Sequence, residues 1–249
     1  MEKRKFRVVA SSVSVLVVLI VVLLLANSLR RSSHIVLPDR ASAAAGESSG
    51  SREENRSLVD ITPQTVKTAI ATLKRPSRYI RTLTIKNFWS GGSSSATATV
   101  CVCDGFTRTD TNNGTGRIRH MITDGQATYI WYNQSRNYYT GVSGMISADQ
   151  EQNIPTYEDI MKLDAGRILN ASYQIFSEEN CIYVETAKDA DGYIQAYWVS
   201  INTGLLVGAE KLKDGETVYK MSASAVSSTA PTTAEFTLPD GRVLHRVEK

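Results

Sequence analysis

One uninterrupted apolar run, residues 8–26, decides where the rest of this chain must live. It sits directly behind a basic start (Lys3, Arg4, Lys5, Arg7), and its polar interruptions are Ser11, Ser12 and Ser14. At about 1.5 Å per helical residue, such a run matches the hydrocarbon core of a bilayer. A cleaved signal peptide has a shorter apolar region, about 7 to 15 residues, so the length favours a retained signal anchor. The small-x-small triplet Ala26-Asn27-Ser28 keeps cleavage as the alternative, and no Cys follows the run to take a lipid. The expected topology is a basic cytoplasmic stub over 1–7, one transmembrane signal anchor over 8–26, and an extracytoplasmic remainder in a single-pass protein of the cell membrane. Arg30 and Arg31 on the far flank blunt the charge asymmetry that sets this orientation.

Residues 27–57 read as a flexible tether. The stretch 41–56 is small and polar, and it cannot bury enough surface to offset the entropy of ordering it. Charge separates along the same boundary. Residues 1–56 hold nine Lys/Arg against five Asp/Glu, leaving nineteen against twenty downstream, about −1. The basicity of the chain thus belongs to the membrane flank and tether, and a nucleic-acid partner is excluded for the folded part. Residues 58–249 suffice for one domain with a sizeable core.

That domain is patterned mainly as strand. Asp104-Gly105, Asp124-Gly125, Asp191-Gly192, Asp214-Gly215 and Asp240-Gly241 recur between runs rich in Val, Ile, Thr and Tyr, the strongest short-range hairpin signal. Expected strands cover 78–88, 96–103, 116–123, 128–133, 137–140, 168–176, 181–187, 193–201, 205–212 and 216–225. About ten strands in one domain curl strongly, which predicts an antiparallel barrel or half-barrel. Two helices interrupt them. Thr62 caps the first, Pro63 opens it, and Val66, Ile70 and Leu73 share a face before Pro76 ends it. In the second, Thr156 and Asp159 have capping-box spacing, and Tyr157, Ile160, Met161 and Leu163 form its apolar side.

The wording of the hairpin at 122–139 (ITDGQATYIWYNQSRNYY) resembles that of lipoprotein-carrier proteins of the LolA type. Residues 187–193, the Asn202-Thr203-Gly204 turn with its flanking strands, and 209–219 are similar to that family's closing meander. The tail 235–241 (EFTLPDG) resembles its terminal Phe-x-x-Pro-x-Gly. The resemblance spans most of 62–243. It implies a mainly β, α+β domain, an unclosed antiparallel barrel whose concave apolar face is covered by helices. It also implies lipoprotein carriage, lipid binding, envelope-stress sensing beside an anti-sigma factor, or a tethered accessory role such as those in spore germination. A retained anchor is incompatible with shuttling between membranes, which favours the tethered roles. The family's lid-pinning Arg has Arg78, Arg81, Arg117 and Arg119 as candidates.

Catalytic constellations are thin. His34, His120 and His245 are dispersed, which argues against a three-ligand zinc site, and Cys-x-Cys alone is a weak metal signal. Ser143 in Gly-Val-Ser-Gly lacks the spacing of a nucleophile elbow. Gly91-Gly92 reads as a hairpin tip, and Glu178-Glu179 as a solvated turn. No enzyme, metal or cofactor is expected. Cys101 and Cys103 share one face of a strand, and Cys181 opens a later one. A bridge from Cys181 to either, a disulfide-linked dimer and three reduced core thiols are the alternatives.

Two functions of different class follow. In the first, the concave face binds a lipid, an acyl chain or a lipoprotein, with Ile80, Leu83, Ile85, Tyr129, Trp131, Ile160, Met161 and Leu163 as the ligand-binding set. In the second, the domain is a non-catalytic interaction module that regulates an envelope protein through its outer surface or sheet edge.

Overall fold

The computed structural model describes residues 60–143 and 154–248. The expected stub, anchor and tether fall outside these residues. Among those described, no helix is long and apolar enough to cross a membrane.

Eleven strands form one antiparallel sheet: β1 (Arg78–Trp89), β2 (Gly92–Cys103), β3 (Phe106–Asn112), β4 (Ile118–Thr123), β5 (Ala127–Tyr132), β6 (Tyr139–Val142), β7 (Ile168–Phe176), β8 (Glu179–Thr186), β9 (Tyr193–Ser200), β10 (Leu206–Lys213) and β11 (Glu216–Ala223). Their spatial order is β6-β5-β4-β3-β2-β1-β11-β10-β9-β8-β7. Two meanders are therefore zipped together by the long-range β1–β11 ladder, and β6 and β7 are left as open edges. The sheet is mainly β, open and unclosed, in keeping with the half-barrel expectation.

Short connections set the meander. At Asp104-Gly105 and Asp214-Gly215 both residues take positive φ (48° and 90°, 51° and 86°), which two-residue hairpins of matching twist require. The β7–β8 turn makes the same demand of Ser177 and Glu178 (49° and 66°), which have side chains poorly suited to it. Left-handed backbone costs about 1–2 kcal/mol in a non-glycine residue, partly offset by the greater unfolded-state freedom of glycine. Glu178→Gly is thus expected to stabilise the domain by about 0.5–1 kcal/mol. Thermal unfolding followed by circular dichroism should show the midpoint rising by about 1–4 °C; a fall would mean that the Glu178 side chain itself is needed.

One strand was not legible. Residues 106–112 carry no apolar alternation, because β3 presents buried Thr109 and Thr111 to one side and a polar network to the other. There Asp110 accepts from Arg108 Nε (2.9 Å) and lies 2.9 Å from His120 Nδ1. Threonine fits the pleat through its branched Cβ, so the strand forms without an apolar stripe.

Two helices accompany the sheet, α1 (Val66–Thr72) and α2 (Tyr157–Lys162). Regular α1 begins three residues beyond Pro63. The N-cap is Thr65 rather than the expected Thr62, and the two threonines instead close the preceding turn, exchanging backbone N–H to Oγ1 bonds of 3.0 and 3.3 Å. In α2 the backbone N–H of Thr156 donates to Asp159 (2.9 Å), as its spacing predicted.

Carboxylates bind several turns by accepting backbone N–H groups. Asp124 accepts from Ala127 and Gln126, both at 2.8 Å, and these bonds hold its carboxyl below the usual range. Asp240 is lowered likewise by the N–H of Arg242 (2.9 Å). A folded-state pKa below the unfolded one means that the unfolded chain binds protons more tightly. The stability these groups contribute is present above the unfolded value of about 3.9 and is lost as pH falls through the lower folded value. Melting temperature should stay level down to about pH 5 and drop below about pH 4, less steeply in Asp124→Asn; a fall beginning near neutrality would assign acid sensitivity to histidine instead.

Candidate functional site

Strand parity and register sort the side chains onto two faces. On the first, Ile85, Met221, Ala209, Tyr197, Val184 and Ala171 pair in succession and form one buried row from β1 to β7. Leu83 lies beside this row, opposite Ala98 and Ala223. The helices cover this side. Val66, Ala69 and Ile70 of α1 and Ile160 of α2 are buried, and the charge of Glu158 on α2 acts on both Tyr79 and Arg81 of β1. Little polar bonding ties the helices to each other. Lys67 Nζ donates to the Leu163 carbonyl (2.7 Å), and the Arg75 guanidinium lies 3.6 Å from the centre of the Tyr157 ring.

A cleft of about 320 Å³ opens on the rim of the sheet, lined by Arg81, Phe176, Glu178, Glu179, Asn202 and Val207 among others. Arg81 is its most telling side chain. It is only 6% exposed, and Nη1 donates to the Leu206 carbonyl (2.7 Å) while Nε has no partner. Burial lowers its pKa, with Tyr79, Glu158 and Glu179 opposing. A buried guanidinium nitrogen without a partner is costly. Of the four candidate lid-pinning arginines, Arg81 is the one on this cleft. Its Nη1 bond to the Leu206 carbonyl ties it to β10 rather than to a helix, whereas Arg78 grips Asp104 (2.6 Å) and Arg117 lies over Tyr132.

The expected ligand set does not form one site. Leu83, Ile85 and Ile160 are buried on the helix-covered side, with Met161 and Leu163 half-buried in α2 and at its C-cap. Ile80, Tyr129 and Trp131 project from the opposite face, in register with Cys101, Arg108, Ile122 and His120. There they meet a core of Cys101, Cys103, Ile122, Phe236 and Leu238 that the C-terminal segment covers. The sheet itself separates the two groups. Met221, Val184 and Tyr197 were missed, because parity within one strand says nothing of the register between β1 and β11.

The three cysteines are free and buried. A bridge to Cys181 is ruled out by position, since five strand spacings of about 4.8 Å separate β2 from β8 and a disulfide spans less than about 7 Å between Cα atoms. Burial pushes the Cys101 and Cys181 thiols up to about 12, which keeps them protonated and inert. Ser143 pairs with the hydroxyl of Thr123 (3.1 Å). Glu178 does occupy an exposed turn, but Glu179 opens β8, is half-buried and accepts from the Ser200 hydroxyl.

No protein-family model and no curated protein matches the sequence. Among solved structures, the chain is similar to the Pseudomonas aeruginosa MucA/MucB complex (TM-score 0.43, 14% identity, 73% of this chain and 61% of that one). It is also similar to the LolA superfamily protein NE2245 from Nitrosomonas europaea (0.36, 12%, 71% and 97%) and to LprF from Mycobacterium bovis (0.35, 12%, 68% and 94%). The chain spans about three fifths of the length of the MucB structures it matches. All these TM-scores lie below 0.5. The superfamily whose hairpin and tail wording this sequence resembles is among the structural neighbours.

Proposed function

We propose that this is a membrane-tethered extracytoplasmic binding domain that takes an acyl chain or similar apolar group against the helix-covered face, with Arg81 meeting its anionic end. One observation carries the reading: a continuous apolar row across the sheet is covered by helices of only seven and six residues. Helices this short have no stability of their own and hold by packing alone. Displacing them would exchange one apolar cover for another, at little cost if a ligand chain replaces them. Arg81, on the same face as Leu83 and Ile85, supplies the charge that an acidic headgroup lacks in an apolar trough.

Native mass spectrometry of the full chain, extracted from a bacterial envelope in detergent, tests this. The expected result is an extra mass of lipid size that disappears on denaturation and is reduced in Arg81→Met. A ligand-free mass under several extraction conditions would overturn it. The edge strand β7 supports a second reading, partner binding by strand addition. It leaves Leu169 and Ile175 63% and 66% exposed beside an unpaired backbone edge. Crosslinking to an envelope protein that is lost in Ile175→Lys, without bound lipid, would favour that role.

A further inference from the structure

Three metal-capable side chains converge where β2 ends. The Cys103 sulfur, a carboxylate oxygen of Asp104 and an imidazole nitrogen of His245 lie within 4.8 Å of one another. Cys103 is fully buried, and its thiol donates to Asp104 Oδ2 at 3.6 Å. His245 Nε2 stands 3.8 Å from the same oxygen and, although buried, has no hydrogen-bond partner. A buried polar nitrogen without a partner is costly. The ring is held in this pose, stacked on Phe106 (4.7 Å between centroids, 14°) and edge-on to Phe236 (5.6 Å).

We propose that Cys103, Asp104 and His245 form a divalent-metal site, best suited to zinc, that clips the C-terminal segment to the β2–β3 turn. One sulfur, one imidazole nitrogen and one carboxylate oxygen make a donor set for a borderline ion, not for magnesium or calcium, which take oxygen. Zinc bonds of about 2.0–2.3 Å in tetrahedral array place donors roughly 3.3–3.7 Å apart. The two separations to Asp104, 3.6 and 3.8 Å, are close to this, and the trio as a whole, within 4.8 Å, must close by up to about 1 Å on binding. On binding, the thiol proton leaves to solvent, and three protein ligands keep a fourth position open. Dispersed histidines no longer argue against a site, because only one is required.

Arg78 is the opposing charge. Its Nε lies 3.1 Å from Asp104 Oδ1, and its Nη2 lies 2.6 Å from Oδ2. Oδ1 can stay with the guanidinium while Oδ2 turns to the metal. Thiolate and carboxylate together outweigh the one positive charge, but Arg78 weakens the site.

The test uses the full chain in detergent, stripped with a chelator, kept reduced and titrated with Co2+ as a spectroscopic probe. One equivalent should bind with thiolate-to-cobalt charge-transfer absorption that Zn2+ abolishes. Cys103→Ser and His245→Gln should each weaken binding more than about tenfold, beyond the lower bound typical of outer-sphere changes. Cys101→Ser, on the same face but outside the trio, should bind as the parent does, and Arg78→Gln more tightly. Absence of the absorption at millimolar Co2+, or its survival in Cys103→Ser, overturns the site. Near-ultraviolet circular dichroism of the metal-free variants verifies folding. If Cys103→Ser unfolds, His245→Gln and Arg78→Gln decide.

Discussion

Phe236→Ala is expected to destabilise the domain by about 3–5 kcal/mol, the usual cost of emptying a filled aromatic site. Phe236 is fully buried in a 3₁₀ turn (Thr233–Phe236) far from the sheet in sequence. It packs with Cys101, Cys103, Ile122 and Trp131, lies edge-on to Phe106 (6.2 Å between centroids), and is braced where Arg108 donates to the Glu235 carbonyl (3.0 Å). The sheet beneath it is continuous and cannot collapse into the space, so the cavity term should be near its full value. At about 2–4 °C per kcal/mol for a domain of this size, the midpoint should fall by about 10 °C. Chemical denaturation of parent and variant measures it. A loss below about 1 kcal/mol would mean that the C-terminal segment is a dispensable cover, not half of a core.

Gly204→Ala should cost about 2–4 kcal/mol for a different reason. Gly204 has φ of +65°, and a Cβ there would stand 2.8 Å from Arg75 Cγ, 2.9 Å from the Lys74 carbonyl oxygen and 3.2 Å from Leu73 Cβ. The Arg75 side chain can move aside, but the carbonyl belongs to the backbone that leaves α1. The substitution therefore strains its own turn and pushes on the anchor of α1 together. If α1 is a displaceable cover, hydrogen exchange in Gly204→Ala should quicken first along 66–72 and only later in the strands. Uniform quickening would show that helix and sheet open as one unit, and displacement of the cover would then be an unsuitable route for ligand entry.

Local chemistry was legible wherever it acts within a few residues. The Asp-Gly turns, the Thr156–Asp159 cap and nearly all strands follow from dihedral preference, side-chain branching and period-two patterning, each of which is set by neighbours in the chain. Parity alone already places Ile80 opposite Leu83, three residues apart, so their assignment to one pocket contradicted the sequence itself. Parity also places Tyr129 and Trp131 on a common side. Which side that is depends on the intervening ladders from β1 to β5, whose registers are not written in any one strand. β3 escaped because threonine and an Arg–Asp–His network occupy the places where an apolar stripe was sought.

The sequence by itself determined the strand-rich class, the turns, the Thr156–Asp159 cap and the split in charge between basic residues 1–56 and the nearly neutral remainder, because these depend on residue type and short spacing. Only the tertiary structure decided that β1 joins β11, that the C-terminal segment covers Trp131 and carries His245 to Cys103, and that Arg81 is buried with one bond beside a cleft. Those outcomes depend on contacts between segments far apart in the chain. They are selected by the burial of two whole faces at once, which no local pattern specifies.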